Sequence, residues 1–427
     1  MKKIVLTILI LGQILMAAKV QYITIDDLKV PVIFEKDDRL PLVSMQFVFQ
    51  NAGSIEDGTK AGLAKMSASM MGEGTKKLGS SKFAEALEAK AIHISATTGM
   101  ETFVLELGCI KDEFDQALKY FNDLLMDPNL SLDALKKVKS VKLGALARKQ
   151  NDFDYVASNE LKSIMFKGTP LALPASGTIK SIESIDLKDV KTFLKKHLVS
   201  NRLIVVVGGD VSLDETQEKL KKILSLMPRG TMQPLKSFEV VAKAKEKVLK
   251  KETQQAYVYF GSPYNMGVND EQNYKARVAT FILGTGGFGS RLMEEIRVKK
   301  GLAYSAYARV SVNKSGSYMS GYLQTKIDSM NEAKKTVKEV INEFVKNGVT
   351  QEELDQTKKF LLGSEPLRVE TMSQRLSRTF QNYYRNLPLN YSQTELEKVK
   401  NLKLEDLNSF IKSHKEILEL SFAIVTR

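Results

Sequence analysis

Side-chain catalysis needs a nucleophile, a base or a metal, so the histidines come first. There are three, His93, His197 and His414. They lie far apart, and none has a second His or a Glu at the i+4 spacing that sets two groups on one helix face. A serine or cysteine nucleophile needs a base beside it, and no local pattern supplies one. The single cysteine, Cys109, alternates with Phe103, Leu105 and Leu107, the pattern of a small buried hydrophobe. With no second cysteine it forms no internal disulfide. All three histidines are expected to be structural or solvent-exposed.

One segment has the spacing of a phosphate cradle. Gly284, Gly286 and Gly289 satisfy GxGxxG, with Gly287 between them. A dinucleotide site needs a strand before the glycines, a helix after them and an acidic residue about 20 positions on. Here a helical pattern precedes them, and Arg309 stands in the acidic residue's place. The reading is a flexible glycine-rich turn.

The elements around these residues repeat. Val43, Met45, Phe47 and Phe49 alternate with more polar neighbours, as in a half-buried strand. Helical patterns follow at 61–71 and 81–91, strands at 93–109, and an amphipathic helix at 112–126. A long helix starts near Ser131, and an apolar strand at 203–207 closes the half. The second half replays the order: strand 256–260, helix 274–283, helix 291–299, strands 303–324, helix 331–346. Thr350 to Glu353 forms a capping box for another helix, and strand 422–425 closes. Asp127-Pro128 matches Asn347-Gly348, and Ile204-Val205-Val206 matches Phe422-Ala423-Ile424, at a shift of about 219 residues. Earlier helices match at about 210. Two α+β domains follow, at 19–228 and 252–427. The stretch 229–251, with Pro234 and a lysine-rich run, reads as an exposed linker.

Length and composition agree with this plan. The chain has 427 residues, too many for one ordinary core, with 43% hydrophobic and 26% charged residues. Its net charge of +13 is mostly scattered lysine, without the interleaved aromatics of a single-strand nucleic-acid groove. Nucleic-acid binding is set aside, and a weak attraction to acidic partners is kept. Lys2 and Lys3 precede an apolar run at 4–16 and then Ala17-Ala18, the plan of a signal peptide over 1–18. The run is short of the ~20 residues a membrane span needs. A periplasmic location without stable membrane insertion is expected.

The stretch from Gly62 to Thr75 resembles the signature of the pitrilysin-type (M16) zinc peptidase family, G-[LI]-A-H-F-L-E-H-M-x-F-x-G-T. Gly62, Leu63, Ala64, Met70, Gly74 and Thr75 match. The metal and base positions do not: the two His are Lys65 and Ser69, and the Glu base is Ala68. The family's third ligand is a Glu some 75–80 positions on, and 140–151 holds no carboxylate. The likeness spans the mature chain. Phe166 to Pro170, Gly177-Thr178 and Asn201 to Gly208 are similar to the family's first half. Ile282 to Leu292 is similar to its "iLGgg-x-SRL", and Ile296 to Ser305 to its "iRekkGLaYs".

The resemblance implies an α+β fold of two homologous modules. Each would be an antiparallel sheet with helices packed on it, and together they would form half of a clamshell chamber. It marks Arg297 and Tyr304 as the family's substrate-binding R/Y pair, since a guanidinium and a phenol can both donate to a peptide carbonyl. It places the glycine-rich loop, Gly284 to Gly289, near the chamber. In the family's two-subunit, processing-peptidase-like branch, one chain carries zinc and the other the pair. This chain is thus expected to bind no metal and to act as a non-catalytic subunit. Its partner would be an HxxEH-bearing homologue that holds the Zn²⁺, in a heterodimer that cuts short or unfolded peptides. The rival reading is a peptide-binding or envelope scaffold with no proteolytic role.

Overall fold

The structure is a computed structural model that describes residues 18–241 and 243–427. The expected signal peptide falls outside the described residues, apart from Ala18.

Alternation builds the strands. In β3 (Leu42–Gln50), Val43, Met45, Phe47 and Phe49 all turn into the core. With β1 (Lys19–Ile25), β2 (Leu28–Lys36), β4 (His93–Thr98), β5 (Thr102–Ile110) and β6 (Leu203–Gly209) it forms a sheet in the order β1-β2-β6-β3-β5-β4. The second half forms its own sheet from β7 (Glu246–Lys250), β8 (Gln255–Pro263), β9 (Ala303–Asn313), β10 (Gly316–Lys326) and β11 (Ser421–Thr426), in the order β7-β11-β8-β10-β9. Without β1 the two orders correspond strand for strand, so the fold is α+β and duplicated.

The sheets are mixed, which corrects the expectation of antiparallel ones. β2 runs parallel to β6, and β7 parallel to β11. The cause is connectivity. Each closing strand arrives after a long helical crossover, and it enters beside the opening strand instead of turning back from a neighbour.

Helices cover both faces. In the first half these include α1 (Leu63–Met71), α2 (Phe114–Met126), α3 (Leu132–Lys149), α4 (Phe153–Met165), α5 (Leu187–His197) and α6 (Leu213–Leu226). The second half has α7 (Asn273–Thr280), α8 (Met330–Asn347), α9 (Gln351–Gly363) and α10 (Met372–Tyr384). Most pack on the sheet of their own half, but two cross over. α10 lies on the first sheet, with Leu376 and Tyr384 against Ile33, Val48, Ile204 and Val206. α4 lies on the second sheet, with Leu161 and Met165 clustered around Ala423. Glycines clear the way for both. A Cβ on Gly208 would sit 2.5 Å from Leu376 Cδ1, and one on Gly261 would sit 2.6 Å from Met165 Sδ.

Polar contacts lock the crossed helices. Arg375 of α10 donates from Nε to Glu35 at 2.7 Å and pairs with Asp37 at 3.1 Å, both near β2. Glu101 accepts from the Ser315 N–H at 2.8 Å, the Ser315 hydroxyl at 2.7 Å and the Tyr384 hydroxyl at 2.8 Å. Asp154 of α4 accepts from Tyr259 at 3.1 Å and Gln324 at 2.6 Å. The 229–251 segment departs from a free linker. Val240 is buried, the Phe238 N–H donates to Ser315 O at 2.8 Å, and the Val241 N–H donates to Met165 O at 2.7 Å. A backbone crossing between two packed sheets must find partners for its N–H groups, and these are the nearest.

Glu35 is buried, and desolvation raises its pKa while Arg375 pulls it down. Arg375→Met would leave that carboxyl without its counter-charge. The expected cost in urea unfolding is about 3–5 kcal/mol, and Glu35→Gln in the same background should recover part of it.

Candidate functional site

Gly62 caps the start of α1, and Asp57 holds that start. The two Asp57 oxygens accept the Gly62 and Ala64 N–H groups at 2.7 Å each. Burial pushes the Asp57 carboxyl up to about 7, against the pull of those two donors. Leu63, Ala64, Met66, Ser67, Met70 and Met71 pack into the core. Lys65 and Ser69, one turn apart, stand off it, and Ala68 lies beneath them, buried. The structure thus groups the three degenerate positions on one helix, as their spacing requires.

Their chemistry does not fit a metal. Lys65 carries an ammonium, Ala68 a methyl, and the Ser69 hydroxyl donates to Lys65 O at 3.0 Å. α3 packs against α1, and its part from Ser140 onward, which carries Lys142, holds no carboxylate. Among the described residues no cluster of three or more His, Cys, Asp or Glu could hold a metal ion. His93 lies exposed on β4. His197 is 1% exposed and bonded through Nδ1 to Asn51 O at 3.1 Å. His414 stacks on Tyr264 at 4.8 Å and bonds to Glu416 at 2.7 Å.

The second half carries the other candidate. The α7 helix runs into a π turn at Phe281–Thr285, then a 3₁₀ turn at Gly287–Gly289. Gly284 is required there, since a Cβ would meet the Ala308 backbone N at 2.5 Å. Gly287 has a positive φ of 62°. Gly286 donates its N–H to Phe281 O at 2.9 Å, and the Ser290 hydroxyl donates to Gly287 O at 2.8 Å, just after Gly289.

The segment read as one helix over 291–299 differs. An α turn at Arg291–Met293 widens into a π turn at Glu294–Lys299. Tertiary packing selects the wider turn. Ile296 stays 0% exposed in the core while Arg297 and Val298 swing outward. Such π turns recur at functional sites. Arg291 anchors the segment with two bonds to Glu353, at 2.6 and 2.7 Å.

Arg297 lies between two rings. Its guanidinium carbon is 4.3 Å from the Tyr304 ring centre and 4.5 Å from that of Phe288. Both rings are open to water, Tyr304 81% and Phe288 64% exposed. Arg297 makes no ion pair or side-chain hydrogen bond among the described residues. Both rings lie within cation–π reach of the guanidinium, and its N–H donors have no side-chain or backbone acceptor among the described residues. That is the form of a group kept ready for a carbonyl or carboxylate. The sequence named Arg297 and Tyr304 as candidates and did not name Phe288, which the structure sets beside them. The available signal was a phenylalanine inside a run of glycines, where no core could take it.

One cavity between the halves lies away from both candidate sites. It measures about 950 Å³ and is lined by the 229–251 segment with Asn51, Tyr264 and Lys314. It contains no side chain of either candidate site.

Two outcomes follow from this geometry. Phe288→Ala and Arg297→Ala should each leave stability within about 0.5 kcal/mol, because the stack is exposed. Each should speed amide exchange at 286–289, and the double variant should add little. The second outcome concerns the buried His197. Burial, with Arg202 and Lys196 nearby, holds its pKa down at about 3, against an ordinary 6.5. A depressed folded pKa gives stability that is present above pH 6.5 and lost as pH falls toward 3. In thermal melts, His197→Gln should flatten that part of the acid dependence.

Two family profiles match the chain. "Insulinase (Peptidase family M16)" matches residues 32–179, and "Peptidase M16 inactive domain" matches 184–361. The chain is 44% identical over 429 residues to the "Non-peptidase homolog YmxG" of Helicobacter pylori, covering 100% of this chain and 99% of the relative. Among solved structures it superposes on a peptidase M16 inactive domain from Pseudomonas fluorescens with a TM-score of 0.87 and 24% identity. That match covers 95% of this chain and 97% of the other. It also superposes on the periplasmic protease PqqL of Escherichia coli with a TM-score of 0.77 and 16% identity, covering 96% of this chain and 47% of that one. These two likenesses speak to the fold. With the profiles and the full-length relative beside them, the conclusion is that this chain belongs to peptidase family M16.

Proposed function

We propose that this chain is the non-catalytic subunit of an M16-type zinc metallopeptidase. The observation that carries the reading is an asymmetry between the halves. The first half keeps the helix of the metal site with Lys65, Ala68 and Ser69 in place of ligands and base. The second keeps Arg297 within 4.3 Å of the Tyr304 ring centre and 4.5 Å of that of Phe288, with no ion-pair partner among the described residues. A remnant with no task has no reason to hold an arginine with its donors open.

In this reading the partner is an HxxEH-bearing homologue. It supplies the Zn²⁺ and the Glu that activates water. This chain supplies half of the chamber wall, the glycine-rich turn, and the Arg297 and Tyr304 donors that hold the peptide carbonyl. The outer edges of β4 and β9 pair with no other strand among the described residues, which suits an extended peptide. The basic and apolar N-terminal segment supports a periplasmic location. No helix among the described residues is long and apolar enough to cross a membrane.

The test is hydrolysis of a quenched, unstructured peptide by this chain, by the homologue and by the mixture. Only the mixture should cut. Arg297→Ala should lower kcat/KM about 10²–10³-fold, as the loss of a charge-stabilising donor does, and Tyr304→Phe less, with the complex intact. Equal cutting by the homologue alone would instead support the scaffold reading.

A further inference from the structure

β9 is an outer strand, with β10 as its one neighbour among the described residues. Alternate backbone groups of such a strand point away from its sheet. Part of that edge is covered. A Cβ on Gly284 would meet the Ala308 backbone N at 2.5 Å and O at 2.6 Å, and the Ala306 N–H donates to Met293 Sδ at 3.2 Å. From 309 to 313 the cover stops. A cavity of about 460 Å³ opens there, and all five residues from Arg309 to Asn313 line it. Successive side chains of a strand point to opposite faces, so a cavity that touches all five runs along the edge. No backbone group at 309–313 bonds to a loop or a side chain among the described residues.

The facing wall carries charge. α7 brings Arg277, the end of α10 brings Arg385, and the helix Tyr391–Asn401 brings Tyr391 and Glu395. Arg277 is answered, since it pairs with Glu395 at 2.6 Å. Glu395 is the one carboxylate of the lining. Arg309 and Arg385 make no ion pair or side-chain hydrogen bond among the described residues. A cation after the last turn of α10 suits the helix dipole, but the dipole leaves its donors open. The cavity thus joins an open strand edge to two unanswered guanidinium groups. Thr285, the last residue of the π turn after α7, lines it too. Val268 and Asn313 line both this cavity and the 950 Å³ one, so the two adjoin.

We propose that this cavity binds the carboxylate-bearing part of an extended peptide, whose backbone pairs with the β9 edge while Arg309 and Arg385 take the carboxylate. A strand edge offers donors and acceptors at the spacing of a peptide. A guanidinium matches a carboxylate as a planar, two-pronged partner. The volume is that of a small-ligand site. A nucleic-acid strand has no alternation of N–H and C=O to pair with the edge. A chain end and an Asp or Glu side chain present the same carboxylate, and the probes below separate them. The inference names what the bound peptide carries in the subunit reading above and rests on that reading for its role. The binding itself needs only this chain.

The experiment is fluorescence anisotropy with the purified protein alone. The probes are an N-terminally labelled, unstructured peptide with a free C-terminal carboxylate, the same peptide amidated, and the amidated peptide with Glu as its last residue. The free-ended peptide should bind roughly tenfold tighter than the amidated one if the arginines take a chain end, and the Glu peptide should do so if they take a side chain. The variant R309Q/R385Q should lose the preference, with a thermal melt that overlays the parent's. R148Q/R368Q makes the same charge change at exposed positions and should keep it. N-methyl groups on every second amide of the tight peptide should weaken binding in one phase and not in the other, because a strand edge bonds alternate residues. Equal binding of the three peptides, equal loss in both variants, or equal tolerance of both N-methyl phases would overturn the proposal. So would a single-stranded oligonucleotide that displaces the peptide from the same arginines more readily than unlabelled peptide does. Binding as described with no hydrolysis by the mixture would sink the subunit reading and leave this one standing.

Discussion

Each sheet is roofed by a helix from the other half, and the rest of the molecule depends on that exchange. α10 closes the first sheet and α4 the second. The exchange explains why β6 and β11 are buried along their whole length, as strands covered on both faces must be. It explains the clearings at Gly208 and Gly261. It also fixes the halves relative to one another, because neither sheet is finished by its own half. The Arg375 pair with Glu35 and the Glu101 bonds to Ser315 and Tyr384 then set the position of the exchanged helices.

Within this frame the loss of the metal positions changes chemistry and leaves packing alone. The core side of α1, with Met66 and Met70 at 0% exposure, sits away from Lys65 and Ser69. Asp57 still holds the helix start. A helix whose burial and cap are independent of its outer face can exchange ligands for other residues at little cost to stability. The opposite holds in the second half. There the π turn at Glu294–Lys299 keeps Ile296 in the core and carries the half-buried Arg297 to Phe288 and Tyr304, so packing and the candidate site share one element.

Much of this was legible in the sequence. Period-2 alternation gave β3 and β5, and the unbroken run Leu203 to Val207 showed a strand with no solvent face. The repeat of helices and strands gave the duplication. The crossed helices were not legible, because α4 and α10 carry amphipathic patterns that name an apolar face but not the sheet it meets. Arg375 and Glu35 are 340 positions apart, and no local signal links them. The parallel pairs β2–β6 and β7–β11 are likewise decided by connectivity. The π turns arise from tertiary packing around Ile296, where the local pattern reads as an ordinary helix. At the candidate site, the resemblance to the family's motifs named Lys65, Ala68, Ser69, Arg297 and Tyr304. Phe288 was missed because its partner is a guanidinium in three dimensions and a glycine run in sequence.

The central claim is that α1 no longer holds a metal and that chemistry must come from another chain. The most direct measurement is the zinc content of the purified protein after equilibration with excess Zn²⁺ and gel filtration. The account predicts far less than one zinc per chain, unchanged by a chelator. One zinc per chain, removed by chelation together with peptide hydrolysis by this chain alone, would contradict it.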